Sequence, residues 1–177
     1  MGTIRSSHTV KLFAGVLIAP GGLLETIEDR LAVEFGPIDD RSGRIPFENT
    51  DHYSDEMGPA IDRVFFSFEN LIEADELATI KTKTNRIEDE HRNPEARVKR
   101  PVNADPGYLE EAKIVLASTK NFPHRIYLGQ GIFGEVELHF ESNAYQFLPW
   151  TYPDYKSREY QDFFLRIRQT YRAQLGR

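Results

Sequence analysis

The sequence predicts an α+β fold, a single domain in which helices pack against one mixed, mainly antiparallel sheet. Strand-like and helix-like hydrophobic patterns alternate through the first hundred residues, and three strand-like segments follow one another between residues 124 and 148. A length of 177 residues is typical of one domain. We therefore expect a flexible N-terminus over residues 1–10 and a single domain over residues 11–175.

The first part of the chain predicts a strand, a helix and two further strands. Residues 11–19 form an apolar run without alternation, which is typical of a strand covered on both faces. A helix follows and ends at residues 36–37, Gly-Pro. Its apolar residues recur at three- and four-residue spacing and are Leu23, Leu24, Ile27, Leu31 and Phe35. A short strand is expected at residues 44–48, and alternation around residues 64–68 predicts a longer one.

Two helices are predicted in the middle of the chain. The first has a narrow apolar stripe at near-heptad spacing, made of Leu77, Ile80, Thr84 and Ile87. It runs into the charged residues 86–100, which we interpret as a solvated connector. After an extended segment at residues 98–104, Asp105 and Pro106 fit the N-cap and first position of the second helix. The buried face expected of that helix is Tyr108, Leu109, Ala112, Val115 and Leu116.

The last third of the chain predicts three strands and a helix. The strands cover residues 124–128, 132–141 and 144–148, with turns rich in glycine, serine and asparagine between them. Alternation in the middle strand predicts a half-exposed face of Glu135, Glu137, His139 and Glu141. Ser157 or Asp154 is expected to cap the final helix. The face of that helix that should dock on the sheet is Tyr160, Phe163, Phe164, Ile167, Tyr171 and Leu175.

The predicted order of elements is β-α-β-β-α-(β)-α-β-β-β-α. Its βαββαβ start resembles a ferredoxin-like unit. The three closing strands form a β-meander. We therefore expect a ferredoxin-like sheet that the meander extends at its C-terminal end.

Composition and charge exclude several classes of protein. The formal net charge is −6, so no global field draws the molecule to nucleic acid or to an anionic membrane, and neither is an expected partner. The chain has no cysteine, which removes disulfides, thiolate nucleophiles and cysteine-based metal sites. This composition fits a reducing compartment, and we expect a cytoplasmic protein. No feature predicts a particular cofactor.

A glycine-rich hairpin reproduces a phosphate-binding pattern without its usual context. Gly129, Gly131, Gly134 and Val136 satisfy the glycine-loop pattern of protein kinases, G-x-G-x-x-G-x-V. The next strand has no lysine and no catalytic-loop motif follows, so a kinase is excluded. The pattern opens a strand, whereas a dinucleotide-binding fold requires a helix there. The glycines therefore either bring backbone N–H groups to an anion or only form a tight turn with a bulge.

Basic residues at the entrance of this hairpin predict an anion-binding cluster. Lys120, His124 and Arg125 supply the positive charge, and one of them titrates near neutral pH. Pro123 fixes the loop beside them. The alternative is a solvated loop in which Arg125 pairs with a carboxylate.

The segment after the last strand is aromatic and stiff. Trp150, Tyr152 and Tyr155 are spaced by Pro149 and Pro153. Such residues either cover the edge of the core or line a ligand pocket, because Tyr and Trp combine apolar area with a hydrogen-bonding group. We expect this segment and the basic entrance of the hairpin to converge on one polar pocket.

Other polar residues are weaker candidates for a site. Asp51, His52 and Glu56 have the side-chain types of a divalent-metal or acid/base site, but a polar turn has the same composition. Glu135 or Asp105 could act as a base. No Ser-His-Asp, Cys-His or H-E-x-x-H arrangement is present, so nothing supports nucleophilic catalysis.

Several motifs in combination resemble one bacterial family, catalogued as domain of unknown function 4416. They are DEMGP, N-x-DPGY, K-x-x-LAST-K, FPHRIYLGQGI and LPWTYPDY, which begin at residues 55, 103, 113, 122 and 148. The resemblance covers residues 11 to about 175 and implies a soluble single-domain protein of no established activity. It implies that the signature positions are Asp105, Pro106, Gly107, Tyr108, Lys120, His124, Arg125, Trp150, Tyr152 and Asp154.

The chain departs from the family pattern at three positions. Ala104 replaces a larger aliphatic residue, His52 stands where tyrosine is frequent, and Gly134 stands where alanine is frequent. The departure at His52 weakens the metal candidate. The departure at Gly134 weakens the glycine-loop pattern, because the third glycine is dispensable in the family.

We expect a pocket that binds a small anionic or nucleotide-like ligand, and acid/base chemistry there is left open. The predicted ligand-binding residues are Lys120, His124, Arg125, Trp150, Tyr152, Tyr108 and Glu135. The alternative is a non-catalytic interaction module, either a homodimer or a partner-binding protein. In that case the aromatic segment or the stripe that begins at Leu77 would be the interface.

Overall fold

The computed structural model describes residues 2–3, 9–21, 23–47, 54–58 and 60–177. The strands within these ranges are β1 (Val10–Ile18), β2 (Ile38–Arg41), β3 (Ile45–Pro46), β4 (Asp62–Ile72), β5 (Val102–Leu109), β6 (Lys113–Ser118), β7 (Ile126–Gly129), β8 (Ile132–Glu141) and β9 (Ala144–Phe147). The helices are α1 (Leu24–Phe35), the single turn α2 (Ser54–Met57), α3 (Leu77–Glu90) and α4 (Arg158–Gln174). None of these helices is long and apolar enough to cross a membrane.

The strands form one open antiparallel sheet in the order β2-β4-β1-β5-β6-β8-β7. β3 pairs with β4 beside β2, and β9 pairs with β8. The first four strands of this order, with α1 and α3 on one face, reproduce the ferredoxin-like arrangement. The predicted α+β class and its ferredoxin-like start are therefore confirmed.

The sheet is buried on both faces because α1 and α3 cover one face and α4 covers the other. On β1, Leu12 and Val16 pack against α1 and α3, whereas Phe13 packs against α4. The ring of Phe13 lies 5.0 Å from that of Phe164 in an edge-to-face contact. The predicted docking face of α4 is confirmed, and Ser157 caps this helix by accepting from the backbone N–H of Tyr160.

The stripe that begins at Leu77 is part of the core. Leu77, Ile80, Thr84 and Ile87 all lie on the buried face of α3. The helix ends at Glu90, shortly before Asn93 and Pro94. A residue that precedes proline disfavours the helical conformation, so the helix cannot easily continue there. Because the chain itself covers the stripe, this surface is not available for a partner.

The helix predicted to begin at Asp105 is wrong, because residues 102–118 form the hairpin of β5 and β6. β5 pairs with β1 along its whole length, from Lys11–Leu109 to Ile18–Val102. These long-range hydrogen bonds override a local sequence that fits a helix start. The side chain of Asp105 binds Lys81 and Asn103 instead of capping a helix.

The predicted half-exposed face of β8 is confirmed for His139 and Glu141, whose side chains are 39% and 71% exposed, but it is wrong for Glu135 and Glu137. Glu135 and Glu137 are only 3% and 0% exposed. The pairing of β8 with β6 shifts register at Glu137, which is a β-bulge. The bulge moves Leu138 to the α4 face although Val136 packs on the α3 face, so alternation fails at that point.

The closing strands differ from a simple meander. β7 and β9 pair with opposite ends of the same edge of β8, since β6 occupies its other edge. Between them, the carbonyls of Val136 and Glu137 accept hydrogen bonds from Trp150 Nε1 (2.9 Å) and Thr151 Oγ1 (2.6 Å). Residues 148–152, the exit segment, therefore close the gap in the sheet edge.

Candidate functional site

A cavity of about 840 Å³ lies where β5 and β6 separate. The two strands pair only through residues 107–109 and 114–116. Before residue 107 and after residue 116 the backbones diverge, and both diverging segments line the cavity. A volume of this size is typical of small-molecule sites, which measure roughly 300–1,000 Å³.

The lining of the cavity is rich in charge. Its four cationic side chains are Arg63, Lys81, Arg100 and Lys120. Its six carboxylates are Glu56, Glu88, Asp89, Asp105, Glu135 and Asp154. Four positive and six negative charges leave a formal net charge of two negative on the wall.

Arg63 enters the wall from the start of β4 and is 5% exposed. Its Nη1 donates to the carbonyl of Gly15 at 2.9 Å, and Asp105 and Asp154 each lie 3.9 Å from the guanidinium. The ring of Phe47 lies 5.3 Å from the guanidinium carbon. Arg63 Nε is buried and has no hydrogen-bond partner within the described part of the chain. An unsatisfied buried donor of this kind costs about 1–3 kcal/mol.

Lys81 belongs to a satisfied ionic cluster on the α3 side of the cavity. Its Nζ donates to Asp105 Oδ1 at 3.0 Å and to the carbonyl of Ala104 at 2.9 Å, and it lies 3.5 Å from Glu88. Burial acts to raise the pKa of Asp105, but Lys81 and Arg63 outweigh it and hold that pKa below its ordinary value. Asp105 therefore stays ionised and is already engaged, which makes it a poor base.

Glu135 organises the basic entrance of the hairpin. Its two oxygens bind His124 Nε2 at 2.6 Å and Arg125 Nη2 at 2.8 Å. Arg125 also donates to Tyr152 Oη at 2.6 Å, and His124 stacks on Trp150 with 5.0 Å between ring centroids. The predicted convergence of the hairpin entrance and the exit segment is therefore present.

Charge in this second cluster is neutralised internally. The side chain of Arg125 is only 3% exposed and pairs with Glu135, as in the alternative interpretation of that loop. Lys120, Glu135 and Tyr152 line the cavity. His124, Arg125 and Trp150 do not line the cavity, but the first two bind Glu135, and Trp150 anchors the exit segment to β8.

Glu137 fixes the exit segment to the bulge of β8. Its Oε1 accepts the backbone N–H of Tyr152 at 2.6 Å, and its Oε2 has no hydrogen-bond partner within the described residues. Burial raises the pKa of Glu137 to about 8, so the group is mostly neutral at pH 7. The position of Tyr152 on the cavity wall depends on this contact.

Of the remaining predicted residues, Glu56 lines the cavity, and the others lie apart from it or outside the description. Tyr108 packs against the cluster under α3 and does not line the cavity. Asp51 and His52 lie outside the described residues, and Glu56 pairs with Arg100 at 3.1 Å. The described residues contain no group of three His, Cys, Asp or Glu side chains placed to hold a metal ion.

Sequence reasoning missed Arg63, Lys81, Glu88 and Glu137. A usable signal existed for Lys81 and Glu88, because each directly follows a residue of the apolar stripe and shares the buried face of α3. Charged residues at such positions are rarely fully buried unless they are paired. For Arg63 and Glu137 no comparable signal existed, because Arg63 follows Asp62 at the start of β4, and Glu137 alternates with apolar residues as in a half-exposed strand.

The fold and the cavity together define an α+β protein with a polar, charged pocket in a split antiparallel sheet. Residues 8–171 match the family model described as "Domain of unknown function (DUF4416)". The chain belongs to this family, as its motifs predict. Neither a curated protein nor a solved structure matches the chain.

Proposed function

We propose that the cavity between β5 and β6 binds a small ligand that carries one anionic group, up to the size of a nucleoside monophosphate. The observation that carries this proposal is Arg63, a guanidinium on the cavity wall whose two neighbouring carboxylates, Asp105 and Asp154, lie no closer than 3.9 Å. A carboxylate or phosphate oxygen in the cavity would accept a charge-assisted hydrogen bond from this guanidinium.

Arg63 replaces His124 and Arg125 as the expected anion contact. Those two residues already bind Glu135, so an incoming anion would have to displace a buried carboxylate. Lys120 is exposed and lines the cavity, so it is placed to meet the ligand at the rim. Tyr152 contributes an aromatic wall, as the sequence predicted.

The net negative wall limits the charge that the ligand can bring. A triphosphate would add about four negative charges to a lining that is already negative, and like charges within a few ångströms repel strongly at low dielectric. A single carboxylate or phosphate needs only the one cationic group that Arg63 offers. We therefore assign a ligand with a single carboxylate or phosphate group and a hydrogen-bonding body, for which Asn85, Asn103 and Ser118 supply polar contacts.

The protein would bind this ligand in the reducing cytosol. No reaction is assigned to the site. Glu135 and Asp105, the candidate bases, are each held by two hydrogen-bonded or ion-paired partners. The alternative function, an interaction module, loses one of its two predicted surfaces because the apolar stripe of α3 is buried. The aromatic exit segment is its remaining predicted surface.

A thermal-shift panel of acetate, inorganic phosphate, AMP and ATP tests the proposal. A ligand at one hundred times its dissociation constant stabilises the fold by about 2.7 kcal/mol, which is roughly 5–10 °C for a domain of this size. We expect a shift with at least one of acetate, inorganic phosphate and AMP, and a smaller one with ATP.

Arg63→Gln should abolish the shift, and Arg44→Gln is the matched control. Arg44 is an exposed arginine that pairs with Asp62 and does not line the cavity. Circular dichroism establishes that each variant is folded. A flat response of the unaltered protein to every anion, or a shift that survives Arg63→Gln, contradicts the proposal.

A further inference from the structure

The free edge of β7 is apolar and exposed. Ile126 and Tyr127 are 73% and 60% exposed, and Leu128 is 41% exposed. Phe122, just before the strand, is 51% exposed. We call these four residues the β7 patch. Within the described residues, β7 is the last strand of the sheet. Alternate residues of β7 therefore point their backbone N–H and C=O groups outward, where no described strand pairs with them.

The opposite edge of the sheet is protected in the usual way. β2 there carries Asp39, Asp40 and Arg41, and all three form ion pairs, Asp39 with Lys11, Asp40 with Arg166 and Arg41 with Glu28. Charged side chains on an edge strand prevent pairing with another chain. β7 has no such protection, because residues 126–134 contain no Asp, Glu, Lys or Arg.

We propose that the β7 patch is the interface of a homodimer, in which β7 pairs antiparallel with β7 of a second copy and continues the sheet across a two-fold axis. A two-fold interface brings the same surface of each copy together. The uncharged β7 hairpin can do this without opposing like charges. The chain as a whole has 28 acidic and 22 basic side chains, but the β7 patch has neither kind. A charged partner would therefore find no opposite charge on the patch, whereas a second copy needs none.

The area of the patch fits a weak dimer. Four large side chains that are about half exposed contribute on the order of 450 Å² per copy. Two copies then bury at most about 900 Å² of side-chain area, because successive side chains of a strand point to opposite faces, so with the paired backbones the total reaches no more than the roughly 1,000 Å² at which specific interfaces begin. An interface of that size dissociates readily, so the dimer should form at micromolar or higher concentration.

Sedimentation velocity over a dilution series tests the dimer directly. The unaltered protein should shift from monomer to dimer as its concentration rises. Ile126→Lys places a charge on the edge and should weaken dimerisation by at least about tenfold. Val33→Lys is the matched control, since Val33 is 82% exposed on α1 and lies outside the patch. This control should dimerise like the unaltered protein.

Cysteine cross-linking provides a second measurement that does not depend on weakening the strand. The chain contains no cysteine, so single cysteines at Ile126, Tyr127 and Leu128 form disulfides only between copies. At least one of them, alone or mixed with another of the three variants, should cross-link, since an antiparallel register places a residue opposite either itself or its neighbour. Val33→Cys should not cross-link. A monomer at every concentration overturns the proposal. A dimer that Ile126→Lys leaves unchanged, or one that none of the three cysteines cross-links alone or in mixture, overturns it as well.

Discussion

Glu137 should make the stability of this protein fall as the pH rises. The folded pKa of this buried carboxyl is about 8, compared with an ordinary value of 4.5. When the pH lies between 4.5 and about 8, Glu137 is protonated in the native state but ionised in the unfolded state. The free energy of unfolding therefore falls by about 1.4 kcal/mol for each pH unit, which amounts to about 4 kcal/mol between pH 5 and pH 8.

The substitution that isolates this effect is Glu137→Gln. The amide oxygen of glutamine can still accept the backbone N–H of Tyr152, but the side chain cannot ionise. The variant should therefore gain about 4 kcal/mol relative to the unaltered protein between pH 5 and pH 8. The gain should level off above pH 8. Contributions from other titrating groups cancel in the difference between the two proteins.

Urea unfolding at several pH values measures this difference. Trp150 is the sole tryptophan and lies in the exit segment that Glu137 holds, so its fluorescence reports on the relevant region. Glu141→Gln is the matched control, because Glu141 lies on the same strand with a side chain that is 71% exposed. Its pH profile should run parallel to that of the unaltered protein. A difference between Glu137→Gln and the unaltered protein that stays constant from pH 5 to pH 9 would refute the reasoning.

Two further predictions concern the cavity and the strand pairing beside it. Lys81→Met removes the ammonium group that Asp105 and Glu88 share and should cost about 3–5 kcal/mol in urea unfolding, whereas Lys83→Met, which breaks only a partly exposed ion pair with Glu34, should change stability by under about 1 kcal/mol; equal effects would contradict the role of the ionic cluster. Gly107→Ala places a Cβ 2.5 Å from the carbonyl of Val115 and should lower stability by about 1–3 kcal/mol, whereas Gly43→Ala has open space and should have little effect; an unchanged melting temperature for Gly107→Ala would show that the hairpin can relax.

Much of the fold could be predicted because its signals are local. The apolar run of β1 and the helical spacing in α1 and α4 directly reflect burial, and Gly36 ends α1 where expected. β5 could not be predicted in this way. Asp105 and Pro106 fit a helix start, and only the pairing with β1, about ninety residues earlier in the chain, decides for a strand.

The candidate site was predictable in part for the same reason. Local motifs predicted that His124, Arg125 and Tyr152 belong to one site, and in the structure these residues lie in one contact network. Arg63 was not predictable, because its role depends on three distant elements meeting at one point. The bulge at Glu137 was not predictable either, since one extra residue in β8 reverses the face of all that follow it.

The separation of β5 and β6 also has a mechanical consequence. Only three residue pairs join these strands directly, so the spacing of the two parts of the sheet is set mainly by α3 and α4, each of which packs against strands on both sides of the gap. Changing the size of an apolar side chain on either helix should therefore widen or narrow the cleft without altering any residue that a bound molecule would touch. Amide hydrogen exchange in β5 and β6 would record such a change as a paired rise or fall in protection.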